Sequence, residues 1–283
     1  MYIFKKKKLF QKINTLKKQN KTIGLIPTMG NLHYGHISLV LSAQKYVDII
    51  IVSIFVNPIQ FDNEHDFKKY PQTFEKDCEI LKKYNVDIIF FPTIHEMYPF
   101  GIKNEILIEI SNLSNIIEGQ SRPGHFQGVA TIICKLFNLV QPQYAFFGEK
   151  DYQQLLIIKT IVIELNYMIK IISIPTIRSR NGLALSSRNN HLNSSEIKKA
   201  PYLYKIIQNT AEKIIKSKKN NISEIIKISK LKLLEKGFFI DIFNVYDAEK
   251  LQFLSKKSKE AIIIASAWLG KTRLIDNKKF FIR

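Results

Sequence analysis

The sequence predicts an α/β fold, a doubly wound parallel sheet followed by a second, smaller α+β domain. Three observations predict it. Apolar runs rich in β-branched residues recur through the first two thirds of the chain, and they are continuous rather than alternating. Helical patterns separate them. After about residue 175 the order changes to helices first and strands afterwards. A continuous apolar run is what a strand needs when both its faces are buried, as in a parallel sheet. Strand–helix alternation then favours the doubly wound architecture.

The expected strands of the first part are Thr22–Ile26, Asp48–Val56, Val86–Phe91, Tyr144–Phe147 and Ile169–Ile174. Between them the expected helices are Ile37–Tyr46, Thr73–Tyr84 with Thr73 as N-cap, Val129–Val140 and Tyr152–Leu165. Glu105–Ile110 reads as an additional short strand. Pro175 and the polar stretch Arg178–Asn193 separate this domain, residues 1–175, from a second over residues 176–283. There two Lys-rich helical patterns, near Lys198–Lys218 and Ser223–Lys236, precede strand-like runs at Phe238–Val245, Ala261–Trp268 and Thr272–Ile275. At 283 residues, two domains are the natural expectation.

Composition bounds the function. The hydrophobic fraction is 46% and the charged fraction 24%, which suits a globular chain with a real core. No apolar run reaches membrane-span length. The start MYIFKKKKLF lacks the apolar core and small-residue cleavage site of a secretory signal. Cys78 and Cys134 lie far apart with no CxxC and no Cys/His cluster, so both read as packed thiols in a reducing cytoplasm. The net charge of +19 would by itself suggest nucleic acid. The excess is mostly lysine, however, spread among abundant Ile and Asn as in an AT-rich coding sequence. Lys5–Lys8 and Lys218–Lys219 read as solvated helix faces or loop ends. No RNP-like aromatic motif, KH loop or zinc spacing organises the charge, so a nucleic-acid partner is not expected.

In an open parallel sheet, ligands bind at the carboxyl ends of the strands. The first strand–helix junction reads Pro27-Thr28-Met29-Gly30-Asn31-Leu32-His33-Tyr34-Gly35-His36. Its glycines allow close backbone approach, and the helix start offers unpaired N–H groups to an anion. Two imidazoles three residues apart add donors. This is neither a GxGxxG nor a P-loop, since His36-Ile37 stands where Lys-Ser/Thr would be. Gly270-Lys271-Thr272 reads as a strand-end turn. The first junction is similar to the HxGH signature of enzymes that attack the α-phosphate of ATP. Three further segments carry suitable groups: SIFVNPIQF with its amides, FFGEKDYQQ with a cation, carboxylates and amides, and GLALSSRN in the expected interdomain linker.

Together with RPGHFQGV and the terminal LGKTRLIDN, these motifs resemble the pantothenate synthetase family over essentially the whole chain. The resemblance implies a Rossmann-like nucleotidyltransferase domain, a smaller C-terminal domain, ATP with Mg²⁺, and a homodimer. It implies that Met29, Gly30, Asn31, Leu32, His33, Tyr34, Gly35 and His36 bind ATP, with His33 and His36 at the phosphates and His36 a proton donor. Gly148, Glu149, Lys150, Asp151 and Ile177 would belong to the nucleotide site, and Leu185, Ser186, Ser187 and Arg188 to a phosphate loop. Gln60 and Gln154 would hold pantoate, with Asn57 and Arg122 lining the pocket for pantoate and β-alanine, and Asp77 would be a carboxylate near the metal. One departure is Asn181, where the family usually has Asp, which leaves the placing of the loop in question. The implied reaction is a ligation through an acyl-adenylate. Its nearest rival is the adenylylation of a phosphorylated small molecule, against which the amides Gln60 and Gln154 argue.

Overall fold

Six strands, all parallel, make the first sheet of this computed structural model, which describes residues 1–62, 64–217 and 221–282. The pair Lys218–Lys219 and the end of the helix expected to reach Lys218 lie outside the described residues. The chain divides into two compact units, residues 1–149 with 153–175, and residues 150–152 with 176–283.

The first unit runs β1 (Tyr2–Ile3), α1 (Lys6–Lys18), β2 (Ile23–Thr28), α2 (Tyr34–Ala43), β3 (Ile49–Ile54), α3 (Glu64–Lys69), α4 (Phe74–Lys83) and β4 (Ile88–Phe90). It continues through α5 (Ile94–Met97), α6 (Glu118–Ser121), α7 (His125–Val140), β5 (Tyr144–Gly148), α8 (Tyr152–Glu164, its first residue counted with the second unit) and β6 (Lys170–Ile174). The strand order is β1-β4-β3-β2-β5-β6. From β2 the chain builds outward through β3 and β4, then returns to place β5 on the other side of β2. The β2/β5 boundary is therefore the topological switch point, the place beyond the strand ends where open parallel sheets bind their ligands.

Both faces of this sheet are covered, which explains the unbroken apolar runs. On one face Leu25, Ile51, Ile88 and Phe90 pack with Leu9, Ile13 and Leu16 of α1, Val129, Ile133 and Phe137 of α7, and Leu155 and Ile158 of α8. On the other, Ile26, Val52, Ile54, Ile89 and Phe146 meet Ile37 and Val40 of α2 and Cys78 and Leu81 of α4. Both cysteines are free and buried, and burial pushes each thiol's pKa up.

The second unit holds α9 (Ser194–Lys199), α10 (Tyr202–Lys216), α11 (Ile222–Glu235), β7 (Phe238–Asp247), β8 (Glu260–Leu269) and β9 (Thr272–Phe281). The strands form an antiparallel sheet in the order β7-β8-β9. Ile206, Ile207 and Ile214 of α10 and Leu233 of α11 pack on Phe243, Val245, Ile263 and Ala265. Gly270 and Lys271 make the β8–β9 turn, as expected for a strand-end turn.

Several expectations need correction. Glu105–Ile110 is not a strand: the Ile108 N–H goes to Thr131 Oγ1 at 3.0 Å and the Ile110 N–H to Ser114 Oγ at 3.1 Å, so side chains take donors a ladder would use. Of the two readings of Lys5–Lys8 the solvated helix face is borne out, since these residues open α1, whose Leu9, Ile13 and Leu16 lie buried at helical spacing. The helix expected from Lys198 is two helices, broken at Ala200-Pro201. The last strand runs past Ile275 to Phe281, because Asp276 and Asn277 are held by partners of their own.

Candidate active site

The β2–α2 junction is built around a carboxylate. Gly30 (φ +81°) and Asn31 (φ +51°) are both left-handed, which turns the N–H groups of Asn31 and Leu32 toward one point. Asp77 of α4 sits there, 1% exposed, and accepts from Asn31 N at 2.9 Å through Oδ2 and from Leu32 N at 2.8 Å through Oδ1. Thr73 occupies the N-cap position of α4, but its hydroxyl donates to Asp77 Oδ2 at 3.0 Å rather than capping the backbone. A Cβ on Gly30 would lie 3.0 Å from that same oxygen, so the residue must be glycine on both counts. Asp77, expected near a metal, thus spends its two oxygens on the loop.

His33 is the N-cap of α2, and its Nδ1 accepts the Gly35 N–H at 3.1 Å. The His33 N–H in turn donates to His36 Nδ1 at 3.2 Å, closing a capping box made of two imidazoles. A nitrogen that accepts an N–H carries no proton. When neutral, both rings are therefore the Nε2–H tautomer, with Nε2 as the donor. The rings lie 4.1 Å apart between centroids. Tyr34 is exposed, whereas Leu32 is buried.

The amides after β3 form a second constellation. Pro58–Gln60 is a single 3-10 turn. Asn57, fully buried, donates to Gly128 O at 2.9 Å and to Gln60 Oε1 at 3.2 Å, and accepts from the Tyr98 hydroxyl at 2.6 Å. Burial pushes the Tyr98 phenol's pKa up, which keeps it a donor. Gln60 Nε2 donates to Met29 Sδ, tying this turn to the first loop. From the other side His125 Nδ1 lies 2.7 Å from Gln60 O and must donate to it, so its Nε2 accepts from Arg122 Nη1 at 3.0 Å. Arg122 also pairs with Asp62 at 3.0 Å. Asn57 and Arg122, expected to line the pocket, are in this structure also the struts that aim Gln60.

Gly128 on α7 is the close-approach point. A Cβ there would come within 2.7 Å of Gln60 N and of Ile59 C. Gly128→Ala is expected to push the Pro58–Gln60 turn off α7 and to destabilise the fold by about 1–3 kcal/mol, the usual cost of overpacking. Thermal melting checks this, and an unchanged melting temperature would contradict it.

At the end of β5, Gly148 and Glu149 are half-buried, and a Cβ on Gly148 would meet nothing within 4 Å. Of the neighbouring glutamines, Gln153 is structural: it donates to Leu113 O and Ile116 O and accepts from Glu118 N. Gln154, one step round α8, is half-buried and outside that network.

The remaining expected residues stand in the second unit. Lys150, Ser186 and Arg188 line one small cavity with Asn189, Tyr204 and Asp276. The segment from Ile177 to Arg188 is not a linker but a folded hairpin of this unit. Leu185 N donates to Ile177 O at 2.9 Å, and Arg178 and Ala184 form a β-bridge. Ser186 caps the short turn Ser187–His191, accepting from Arg188 N at 3.3 Å. Asp151 and Ser187 are half-buried. Asn181 accepts from Ser179 Oγ at 2.6 Å and from Leu183 N at 3.3 Å through its side-chain oxygen. An aspartate would make the same two bonds, so the departure from the family's residue leaves the hairpin's geometry intact.

The sequence reading missed Tyr98, His125, Gly128, Arg178 and Asp276. The last four stand within or beside motifs it singled out, whereas Tyr98 carries no signal short of the fold.

A doubly wound parallel sheet with a two-histidine junction at its switch point defines an α/β enzyme whose chemistry sits at the strand ends. The pantoate-beta-alanine ligase family matches residues 2–279. A pantothenate synthetase of Buchnera aphidicola subsp. Acyrthosiphon pisum (strain Tuc7) is 64% identical over 283 residues, covering 100% of this chain and 99% of that protein. Another, from Buchnera aphidicola subsp. Schizaphis graminum (strain Sg), is 61% identical over 97% of this chain and 96% of its own. Among solved structures, the pantothenate synthetase of Thermus thermophilus superposes with a TM-score of 0.88 at 37% identity, covering 98% of each chain. The pantoate-beta-alanine ligase of Francisella tularensis, complexed with beta-gamma ATP and beta-alanine, gives 0.81 at 38% identity, over 99% of this chain and 97% of that one. The chain belongs to the pantoate–β-alanine ligase family, and its activity is the joining of pantoate to β-alanine.

Proposed function

We propose that the chain joins its substrates in two half-reactions, through a pantoyl-adenylate made from ATP. A pantoate carboxylate oxygen attacks the α-phosphorus, the bond to the β-phosphate breaks, and pyrophosphate leaves. The neutral amine of β-alanine then attacks the acyl carbon, and AMP leaves with the electron pair of the broken C–O bond. The carboxylate is already a nucleophile at neutral pH, so the first step asks for in-line placement and charge neutralisation rather than a base.

The observation that carries this reading is the double-imidazole cap. The Nδ1 atoms of His33 and His36 each accept a backbone N–H, which sets Nε2 as the donor nitrogen of each ring and suits the pair to phosphate oxygens. His36 has the proton to act as donor. Lys150, Ser186, Ser187 and Arg188 supply further positive charge and hydroxyls to the leaving pyrophosphate, with Gly148, Glu149, Asp151, Ile177 and Leu185 beside the nucleotide. Gln60 and Gln154 hold pantoate, with Asn57 and Arg122 at the pantoate and β-alanine pocket.

Carried in with ATP, Mg²⁺ would neutralise phosphate charge. Asp77 does not fit as its ligand, since Mg²⁺ wants open octahedral oxygen ligands and both Asp77 oxygens already take N–H or O–H donors. The chain works as a homodimer in the cytoplasm, an assembly that light scattering would read as twice the chain's mass. Among the described residues no helix is long and apolar enough to cross a membrane.

Product analysis tests the reading. With pantoate, β-alanine and Mg-ATP, AMP and pantothenate should form in equal amounts. ADP as the nucleotide product would exclude the adenylate route.

A further inference from the structure

Asp276 and Asn277 stand side by side in the middle of the last strand, directly after the buried Leu274 and Ile275. Asp276 is only 4% exposed. Its carboxylate takes both arms of Arg178, Nη1 at 2.6 Å and Nη2 at 2.7 Å. The same guanidinium lies over the Tyr204 ring, its Cζ 3.2 Å from the centroid, and its Nη1 also donates to Gly182 O at 3.2 Å. Arg178 is the root of the Arg178–Ala184 hairpin whose next residues are Leu185–Arg188. A bidentate ion pair fixes direction as well as distance. Asp276 therefore sets where the serine–arginine turn begins.

Asn277 faces the other way along the same strand. Its Nδ2 donates to the backbone carbonyl of Lys150 at 2.9 Å. Lys150 stands two residues past the end of β5, yet residues 150–152 group with the second unit. Two hydrogen bonds join the segment to that unit: Asn277 Nδ2 to Lys150 O, and the Tyr152 hydroxyl to Ala248 O at 2.9 Å. Lys150, Ser186 and Arg188 consequently line the same cavity.

We propose that the dipeptide Asp276-Asn277 is the positioning element of the triphosphate-binding groups: Asp276 places Ser186–Arg188 through Arg178, and Asn277 places Lys150 through its backbone. This rests on the adenylate reading of the site. One strand thereby fixes, relative to each other, cations that come from distant parts of the sequence. A misplacement of about 1 Å in such a group can cost on the order of a hundredfold in rate.

The test is a double-mutant cycle on the rate of pantoyl-adenylate formation in single turnovers, with melting followed in parallel. Asn277→Ala should slow that step about tenfold or more, with ATP affinity changed far less. Asn277→Asp keeps the shape but loses the amide donor and sets a carboxylate against a carbonyl, so it should be at least as slow. In a Lys150→Ala background neither change should slow the step further, because the group being positioned is gone. Likewise Asp276→Asn should slow the wild-type chain more than the Arg188→Ala chain. If Lys150→Ala slows the step and Asn277→Ala multiplies onto it in full, the positioning inference is overturned. If Lys150→Ala leaves the step unchanged, Lys150 is not a triphosphate-binding group and the positioning inference is overturned; the adenylate reading itself fails only if the parent chain forms no pantoyl-adenylate, and a loss of the cooperative melting transition in both Asn277 variants would make Asn277 structural.

Discussion

Lys150→Ala is expected to slow pantoyl-adenylate formation by roughly a hundred- to a thousandfold, the range for removing one preorganised charge from a developing anion. Lys150 is half-buried and lines the cavity that Ser186 and Arg188 share. The bond that ties it to the last strand is made by its backbone carbonyl, which accepts from Asn277 Nδ2, and not by its side chain. Truncating the side chain should therefore leave the melting temperature within a few degrees of the parent. Rapid-quench measurement of adenylate with ATP and pantoate checks the rate, and calorimetry checks the fold. A mutant that melts early and retains its rate per folded molecule would return Lys150 to a structural role.

Asp77→Asn should also be damaging, through the fold as well as the rate. The carboxylate accepts three donors at once, from Asn31 N, Leu32 N and Thr73 Oγ1. An amide of the same shape must turn an NH₂ toward at least one N–H, leaving a buried donor unsatisfied at about 1–3 kcal/mol. The junction bearing His33 and His36 would shift with it. The expected result is a lower melting temperature together with a fall of about tenfold or more in kcat/KM for ATP. Raised Mg²⁺ should restore neither. Recovery at high Mg²⁺ with an unchanged melting temperature would instead make Asp77 a ligand of the metal.

The parallel sheet was legible because burial on both faces leaves a continuous apolar signature, as in Ile49–Ile54. So was the first junction, since two glycines and two histidines seldom collect at a strand end without chemistry. Other parts were hidden by the local look of the chain. The lysines of α1 masked the spacing of Leu9, Ile13 and Leu16, which decides that helix. Asp276 and Asn277 read as the end of a strand because their burial depends on Arg178 and Lys150, 98 and 127 residues away. Asp77 carried the same ambiguity: an acidic residue on a helix says nothing of the N–H groups 45 and 46 residues earlier that it collects. Glu105–Ile110 had strand composition, but side-chain acceptors took its backbone donors.

The central claim is that an adenylate forms before the amine is used. Isotope exchange tests it most directly: the protein is incubated with Mg-ATP, pantoate and labelled pyrophosphate, with no β-alanine. Label should enter ATP at a rate that depends on pantoate, because a reversible first half-reaction needs only these components. Exchange that appears only when β-alanine is added, or that runs without pantoate on a phosphorylated acceptor, would contradict the account.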